Sequence, residues 1–225
     1  TVLSGLSGVS SIAGGLIGDN DRAVNLDGVD DLIRSATNPT VLNIGSAITL
    51  EALIYRAGIP TAAQQIISKE ITVTNLPNIG YHMSIHSGGT IFFAHASSAT
   101  ALRTTSAITV NTWHHVLATW DSSFQNIWLD GTLVASVAQT SPMTSDVTQF
   151  AIGARSNQDA LFFAGRIDEV AVYLTALSSN RIFAPYQTMA GSGTAIAAQG
   201  ERWDNFQWDT AGTVTVRAVP DGWSA

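Results

Sequence analysis

The chain has 225 residues, of which 45% are hydrophobic and only 12% charged, about half the usual charged share. Its formal net charge of −7 argues against binding of a phosphate backbone, so nucleic acid is not an expected partner. The absence of cysteine excludes disulfides and cysteine-type zinc sites. No run of about 18 apolar residues predicts a membrane span, and no signal peptide is visible. The chain begins with Thr1 instead of Met, which suggests a processed product or a part of a longer protein.

Residues 1–19 are rich in Gly and Ser, with apolar residues at every third position from Leu3 to Ile12. This composition is typical of an arm that becomes ordered against a neighbour, and equally of a linker or of the first edge strands of a domain. We treat residues 1–19 as an N-terminal arm and leave these alternatives open.

The central region, residues 20–188, contains short runs of β-branched and aromatic residues separated by turn signals such as Asp130-Gly131. The runs are 48–55, 81–86, 90–94, 113–120, 126–130, 150–154 and 166–173. Strands of this length and spacing predict an all-β sandwich or barrel. One helical pattern, over 177–186, interrupts the series near its end.

Residues 189–225 form a Gly/Ala/Ser-rich linker followed by two strand-like runs around a glycine-containing loop, a pattern that predicts a β-hairpin extension. Three of the six tryptophans of the chain lie here: Trp203, Trp208 and Trp223. Because an isolated hairpin is marginally stable in water, we expect it to pack on the sandwich or on another protein.

A series of short motifs runs through residues 24–186. In order they are LDGVDD from Leu26, ITLEALI from Ile48, IISKE from Ile66, WHHVLATW from Trp113, NIWLDG from Asn126, IG from Ile152, GRIDEV from Gly165 and ALS from Ala176. The set resembles the motifs of laminin-G-like domains of the concanavalin A-like superfamily, in the same order. The resemblance implies two stacked antiparallel β-sheets in jelly-roll topology, a fold that hosts lectins, adhesion modules, enzymes and virion components.

Catalysis finds little support in the sequence. Glycoside hydrolases of this fold carry carboxylates in an E-x-D-x-E or E-x-D-x-x-E pattern, about 5–9 Å apart. None of the glutamates has an acidic residue two positions away; they are Glu51, Glu70, Glu169 and Glu201. Asp168 is adjacent to Glu169, so on a strand the two side chains point to opposite faces. No G-x-S-x-G motif occurs. We expect no catalytic residues.

The histidines fit ordinary strand positions better than zinc ligands. On one strand, His82 and His86 share a face but lie about 13 Å apart, too far for one ion. His114 and His115 are adjacent and point to opposite faces.

Calcium is the metal that the sequence leaves open, and four aspartates are its candidate ligands: Asp27, Asp30, Asp31 and Asp168. The first three crowd one turn, and the resemblance places Asp168 near the first strand. The alternative is that Asp27-Gly28 forms a turn while Asp168 pairs with Arg166 or caps backbone amides. Asn157 and Asp159 form a second polar loop. Otherwise we expect no cofactor.

Lectins stack an exposed aromatic side chain on the apolar face of a sugar and surround it with polar groups. The candidates for such a ligand or partner contact are Trp128, Tyr81, Trp203, Phe206, Trp208 and Trp223. The alternative for each is burial in the core or between the sheets.

These observations predict a non-catalytic binding or adhesion module, for a glycan or cell-surface polymer, on a virion or extracellular protein. The alternative is a structural virion component, such as a capsid-decoration or tail-fibre protein, whose terminal arms contact neighbouring subunits or further copies of the chain. An enzyme with an unrecognised site is the third and weakest hypothesis.

Overall fold

The computed structural model of the chain describes residues 22–71, 79–95, 101–143, 147–156 and 160–183, and the backbone of four short strands outside them. The strands are β1 (Leu3–Ser4), β2 (Ser10–Ala13), β3 (Arg22–Asp27), β4 (Ile33–Ser35), β5 (Ile48–Tyr55), β6 (Gln64–Ile71), β7 (Ile79–Ile85), β8 (Ile91–His95), β9 (Leu102–Arg103), β10 (Trp113–Trp120), β11 (Phe124–Leu129), β12 (Thr132–Ala138), β13 (Ala151–Ile152), β14 (Ala164–Tyr173), β15 (Gln207–Trp208) and β16 (Val214–Thr215). A 3-10 turn at Thr40–Leu42 and a short helix over 179–183 complete the described elements.

The strands form two seven-stranded antiparallel sheets. The first sheet has the order β1-β4-β13-β6-β7-β8-β9, and the second has the order β12-β11-β10-β5-β14-β3-β2. The predicted two-sheet β-sandwich is therefore confirmed. β15 and β16 pair with each other in a separate two-stranded sheet, as the C-terminal sequence pattern predicts.

Parts of the predicted N-terminal arm belong to the sandwich. β1 pairs with β4 at the edge of the first sheet, and β2 pairs with β3 at the edge of the second. These two segments therefore lie at sheet edges, and the division of the chain into an arm and a domain stays a prediction.

The core lies between the sheets and follows from the alternation of side chains along each strand. On the central strand β10, Val116, Ala118 and Trp120 point into the core. Trp120 is 1% exposed, and its indole N–H donates to the Gln139 carbonyl at 2.8 Å, which satisfies the one polar group of this large ring. His115, Leu117 and Thr119 consequently face away from the core.

A tight turn joins β11 and β12 and leaves β12 at the edge of the second sheet. Asp130 and Gly131 both have positive φ, 50° and 74°, as this two-residue hairpin turn requires. The short helix over 179–183 falls inside the 177–186 pattern that predicted it.

Candidate functional site

The outer face of the second sheet is the surface turned away from the core. Because residues opposite each other in antiparallel strands share a face, the register defines its rows. One row contains Glu51 on β5, Leu117 on β10 and Trp128 on β11. The next row contains Thr119 and Asn126.

The exposed edge of this face is a set of five side chains, here called the hairpin platform: Phe124, Asn126 and Trp128 on β11, and Leu133 and Ser136 on β12. The three β11 side chains point outward in succession, about 6.6 Å apart along the strand. Phe124 is 49% exposed and Leu133 is 45% exposed, whereas Trp128 is half-buried. The platform therefore alternates apolar, polar and apolar groups at the surface.

Hydrogen bonds hold the polar middle of the platform in place. The Ser136 hydroxyl donates to Asn126 Oδ1 at 2.7 Å, and Asn126 Nδ2 donates to Thr119 Oγ1 at 3.3 Å. Trp128 Nε1 is buried and, among the described residues, has no hydrogen-bond acceptor. A buried unpaired donor of this kind costs about 1–3 kcal/mol.

Behind the platform, a buried carboxylate joins three strands. Glu51 Oε1 lies 2.7 Å from His115 Nε2, and Glu51 Oε2 accepts a hydrogen bond from the Tyr173 hydroxyl at 2.7 Å. Glu51, His115 and Tyr173 are all buried on the outer face. Sequence reasoning missed this network because its members are far apart in the chain and meet through sheet register.

Asp168 also lies on the outer face of the second sheet, opposite Leu53, and is 1% exposed. Its Oδ1 accepts the Glu169 backbone N–H at 3.0 Å, which agrees with the amide-capping alternative. The sheet thus places Asp168 and Glu51 on one face of neighbouring strands, an arrangement that spacing along a single strand cannot reveal. Both carboxylates are buried, and Glu51 already binds His115 and Tyr173.

A second aromatic group occupies another part of this outer face. Tyr55 and Trp113 are cross-strand partners whose ring centroids lie 5.8 Å apart. The Arg166 guanidinium lies over the Tyr55 ring, 4.6 Å from its centroid. All three side chains are half-buried, and Tyr55 contacts both of the others, so less of their apolar surface is free for a ligand.

Thr109, His114 and Asp130 have the order of a hydroxyl, imidazole and carboxylate triad. Thr109 Oγ1 lies 2.9 Å from His114 Nε2, and His114 Nδ1 lies 2.7 Å from Asp130 Oδ2. His114 Nε2 also lies 3.2 Å from the Thr109 carbonyl, which can only accept a hydrogen bond. Both imidazole nitrogens thus have protein partners, and the contacts clamp the Thr109 loop to β10.

Tyr81 was predicted as a ligand contact, and the structure corrects this. Tyr81 is 2% exposed in the inter-sheet core, and its hydroxyl donates to the Leu42 carbonyl at 3.3 Å. The packing alternative is the right one because strand alternation turns this ring inward.

His82 on β7 and His86 just after β7 have local protein partners. His82 Nδ1 lies 2.8 Å from Glu70 Oε2, and Gln65 Nε2 donates to Glu70 Oε1 at 2.9 Å. Burial opposes ionisation of Glu70, but the charge of His82, its hydrogen bond and the charge of Arg155 together hold the Glu70 pKa below its ordinary value. His86 stacks on the Phe92 ring with centroids 4.3 Å apart.

Three of the four predicted calcium ligands come together in the turn between β3 and β4. Among the described residues, Asp27, Asp30 and Asp31 are the one group of three or more acidic, histidine or cysteine side chains placed to share an ion, with ligand atoms within 4.8 Å of one another. Asp168 is not in this group. It lies four residues beyond Ala164, the β14 partner of Asp27, about 13 Å along the strand.

The remaining aromatic candidates, Trp203, Phe206, Trp208 and Trp223, have side chains outside the described residues, as do Asn157 and Asp159. Their roles stay predictions. No helix in the described part of the chain is long and apolar enough to cross a membrane.

Several solved structures share this fold at low sequence identity. Domain 4 of AbnA, an extracellular arabinanase from Geobacillus stearothermophilus solved with arabinotriose, aligns with a TM-score of 0.61 and 14% identity, covering 80% of this chain and 85% of that domain. The binding domain of Paraclostridial Mosquitocidal Protein 1 aligns with a TM-score of 0.62 and 14% identity, covering 82% of this chain. The binding domain of Botulinum Neurotoxin DC, solved with SialylT, aligns with a TM-score of 0.58 and 12% identity, covering 83%.

The chain spans 47% and 46% of these two toxin chains, respectively. No curated protein sequence matches it. Residues 27–183 match the family model for laminin-G-like domains of the concanavalin A-like lectin/glucanases superfamily, and the chain belongs to that family.

Proposed function

We propose that this chain is a non-catalytic glycan-binding module whose hairpin platform contacts the sugar, and that it serves a virion or extracellular protein in recognising cell-surface glycans. The observation that carries the proposal is the outward alignment of Phe124, Asn126 and Trp128 on one strand. It supplies two aromatic surfaces with a fixed amide between them.

The chemistry of the platform suits a carbohydrate. The C–H face of a pyranose or furanose ring packs on an aromatic side chain, while its hydroxyls need a few well-placed polar partners. Asn126, held by Ser136 and Thr119, supplies an oriented amide.

The similar structures support a glycan as the ligand class. The arabinanase domain was solved with arabinotriose and the neurotoxin binding domain with SialylT, and both are much like this chain in fold. The buried state of Glu51 and Asp168 supports a non-catalytic role, because a glycosidase presents its acid and base to the scissile bond.

A glycan array probed with the intact chain and with Trp128→Ala, Phe124→Ala and Phe92→Ala tests the proposal. Phe92 is a matched control, because it is a half-buried aromatic side chain on the outer face of the other sheet. We expect retention to fall at least tenfold for Trp128→Ala and Phe124→Ala and to persist for Phe92→Ala. Unchanged retention in both platform variants, or an equal loss in the control, would refute the assignment.

A structural role in a virion is the second candidate. It is favoured by the β15–β16 pair, which is hydrogen-bonded to neither large sheet, because a two-stranded sheet gains stability when it packs on another protein. Light scattering of the chain with and without residues 200–225 tests this role. Assembly that depends on these residues supports it, and monomers in both cases contradict it.

A further inference from the structure

β12 forms the longest free edge of the two large sheets. Among the strands that the structure describes, this seven-residue strand pairs with β11 alone, so its other side is open. The other three edges end in short strands: β1 and β9 have two residues each, and β2 has four. Short edge strands are one of the means by which β-proteins prevent edge-to-edge pairing. β12 is not protected in this way.

The side chains of β12 do not protect the edge either. Charged side chains, lysine above all, and proline are the residues that block edge strands in natural proteins. The sequence from residue 131 to residue 145 contains no charged residue, and Thr132–Ala138 contains no proline. Ser136, Val137 and Ala138 are exposed, and the apolar Val137 is 41% exposed. In a chain of net charge −7, a second copy therefore meets no like charge along this strand.

The backbone of β12 offers hydrogen-bonding groups to a further strand. The Gln139 N–H donates to the carbonyl of Ser123, just before β11, at 2.7 Å. Because the hydrogen-bonding direction alternates along an antiparallel strand, Val137 also directs its backbone groups to β11, whereas Ser136 and Ala138 direct theirs to the free edge. Ser136 and Ala138 therefore present backbone donors and acceptors to any strand that lies beside β12.

We propose that β12 pairs with β12 of a second copy of the chain, in an antiparallel dimer whose two-fold axis passes beside Val137. Opposite residues in antiparallel strands share a face, so this axis places Ser136 opposite Ala138 of the second copy, and each such pair exchanges both of its hydrogen bonds. The two Val137 side chains contact each other at the axis, which buries their exposed apolar surface. The register shift of the hairpin, between Ile127 and Trp128, lies outside the paired segment.

The dimer joins two hairpin platforms on one surface. A two-fold axis perpendicular to the sheet keeps the outer faces of both copies on the same side. Phe124 is opposite Ala138, and Asn126 is opposite Ser136. One row across the dimer therefore contains Phe124 and Ala138 of one copy, followed by Ser136 and Asn126 of the second copy. Under the proposed glycan function, two platforms contact one glycan surface and avidity strengthens retention, but the pairing itself does not depend on that function.

Sedimentation equilibrium of the intact chain without glycan tests the pairing separately from the proposed function. A contact confined to one strand buries less than about 1,200 Å² and is typical of weak, reversible dimers. We expect the apparent mass to rise from that of one chain toward that of two between about 10 µM and about 1 mM protein. Val137→Lys should weaken dimerisation at least about tenfold, because the axis places two ammonium groups opposite each other. Ala138→Pro should also weaken it, because proline removes an N–H that bonds the second copy.

Val41→Lys is the matched control. Val41 is 47% exposed, against 41% for Val137, and it lies in the 3-10 turn Thr40–Leu42, outside β12. Val41→Lys should dimerise like the unaltered chain. Because both valines are exposed in the monomer, the two lysine variants should have equal urea midpoints, so a difference in dimerisation does not come from unfolding. A monomer throughout the concentration range, dimerisation that persists in both β12 variants, or an equal loss in Val41→Lys would overturn the proposal.

Discussion

Replacement of Glu51 measures how much the buried network behind the hairpin platform contributes to stability. Glu51→Ala leaves the Tyr173 hydroxyl and His115 Nε2 without the carboxylate that lies 2.7 Å from each. Each buried polar group that loses its partner costs about 1–3 kcal/mol, so the two together lower the free energy of unfolding by about 2–6 kcal/mol.

Glu51→Gln should cost less, for a reason that the network itself supplies. The Gln carbonyl can accept from Tyr173, and the Gln amide can donate to His115 Nε2 if the imidazole proton moves to Nδ1. His115 Nδ1 has no hydrogen-bond partner among the described residues, so this move breaks no existing bond. It does leave a buried N–H unpaired, which limits the expected loss to about 1–3 kcal/mol.

Urea unfolding followed by tryptophan fluorescence measures the free energy of unfolding of Glu51→Ala and Glu51→Gln. A double-mutant cycle with Tyr173→Phe isolates the interaction energy between Glu51 and Tyr173. A stabilising role of the Glu51 network is excluded if Glu51→Ala lowers the free energy of unfolding by less than about 1 kcal/mol. It is also excluded if Glu51→Gln lowers the free energy of unfolding more than Glu51→Ala does.

Three further predictions concern pH, backbone conformation and the turn. The pKa of Glu70 is lower in the folded state than its unfolded value near 4.5, so the Glu70 carboxylate stabilises the fold above pH 4.5. This stabilisation is lost as the pH falls through the folded-state pKa. In a series of urea midpoints measured against pH, Glu70→Gln should therefore show a smaller decrease on acidification. Gly28→Ala should lower the free energy of unfolding by about 2–4 kcal/mol, because residue 28 has a positive φ and the added Cβ would collide with Ala164. Gly45→Ala is the control: no atom lies within 4 Å of its added Cβ, so the free energy of unfolding should change by less than about 1 kcal/mol in the same assay. His114→Ala should release the loop that Thr109 anchors. Amide hydrogen exchange over residues 105–112 should then be faster than in the unaltered chain. Equal protection in the two proteins would contradict the clamp.

Local pattern was enough to predict the sandwich, because each strand carries its own signal. The run WHHVLATW is apolar on both faces, and it forms the central strand β10 with neighbours β5 and β11. The turn at Asp130-Gly131 was equally readable, since both residues tolerate the positive φ that the hairpin requires.

The site was less predictable because it depends on register between distant strands. Trp128 could be named from its residue type, but its place beside Leu133 follows from the register of β11 with β12. The contact of Glu51 with His115 and Tyr173 requires the pairing of β5 with both β10 and β14. Strand register also keeps Asp168, on β14, away from Asp27, Asp30 and Asp31 in the turn between β3 and β4.

Titration of the intact ¹⁵N-labelled chain with a glycan that the array retains shows whether the hairpin platform is the glycan site. Each of the six tryptophans gives one indole N–H resonance. We predict a large shift for Trp128, whose ring belongs to the platform, and none for Trp120, whose N–H is bound to Gln139 in the core. A titration that leaves the Trp128 resonance in place while that of Trp113 moves would contradict the assignment of the hairpin platform as the glycan site.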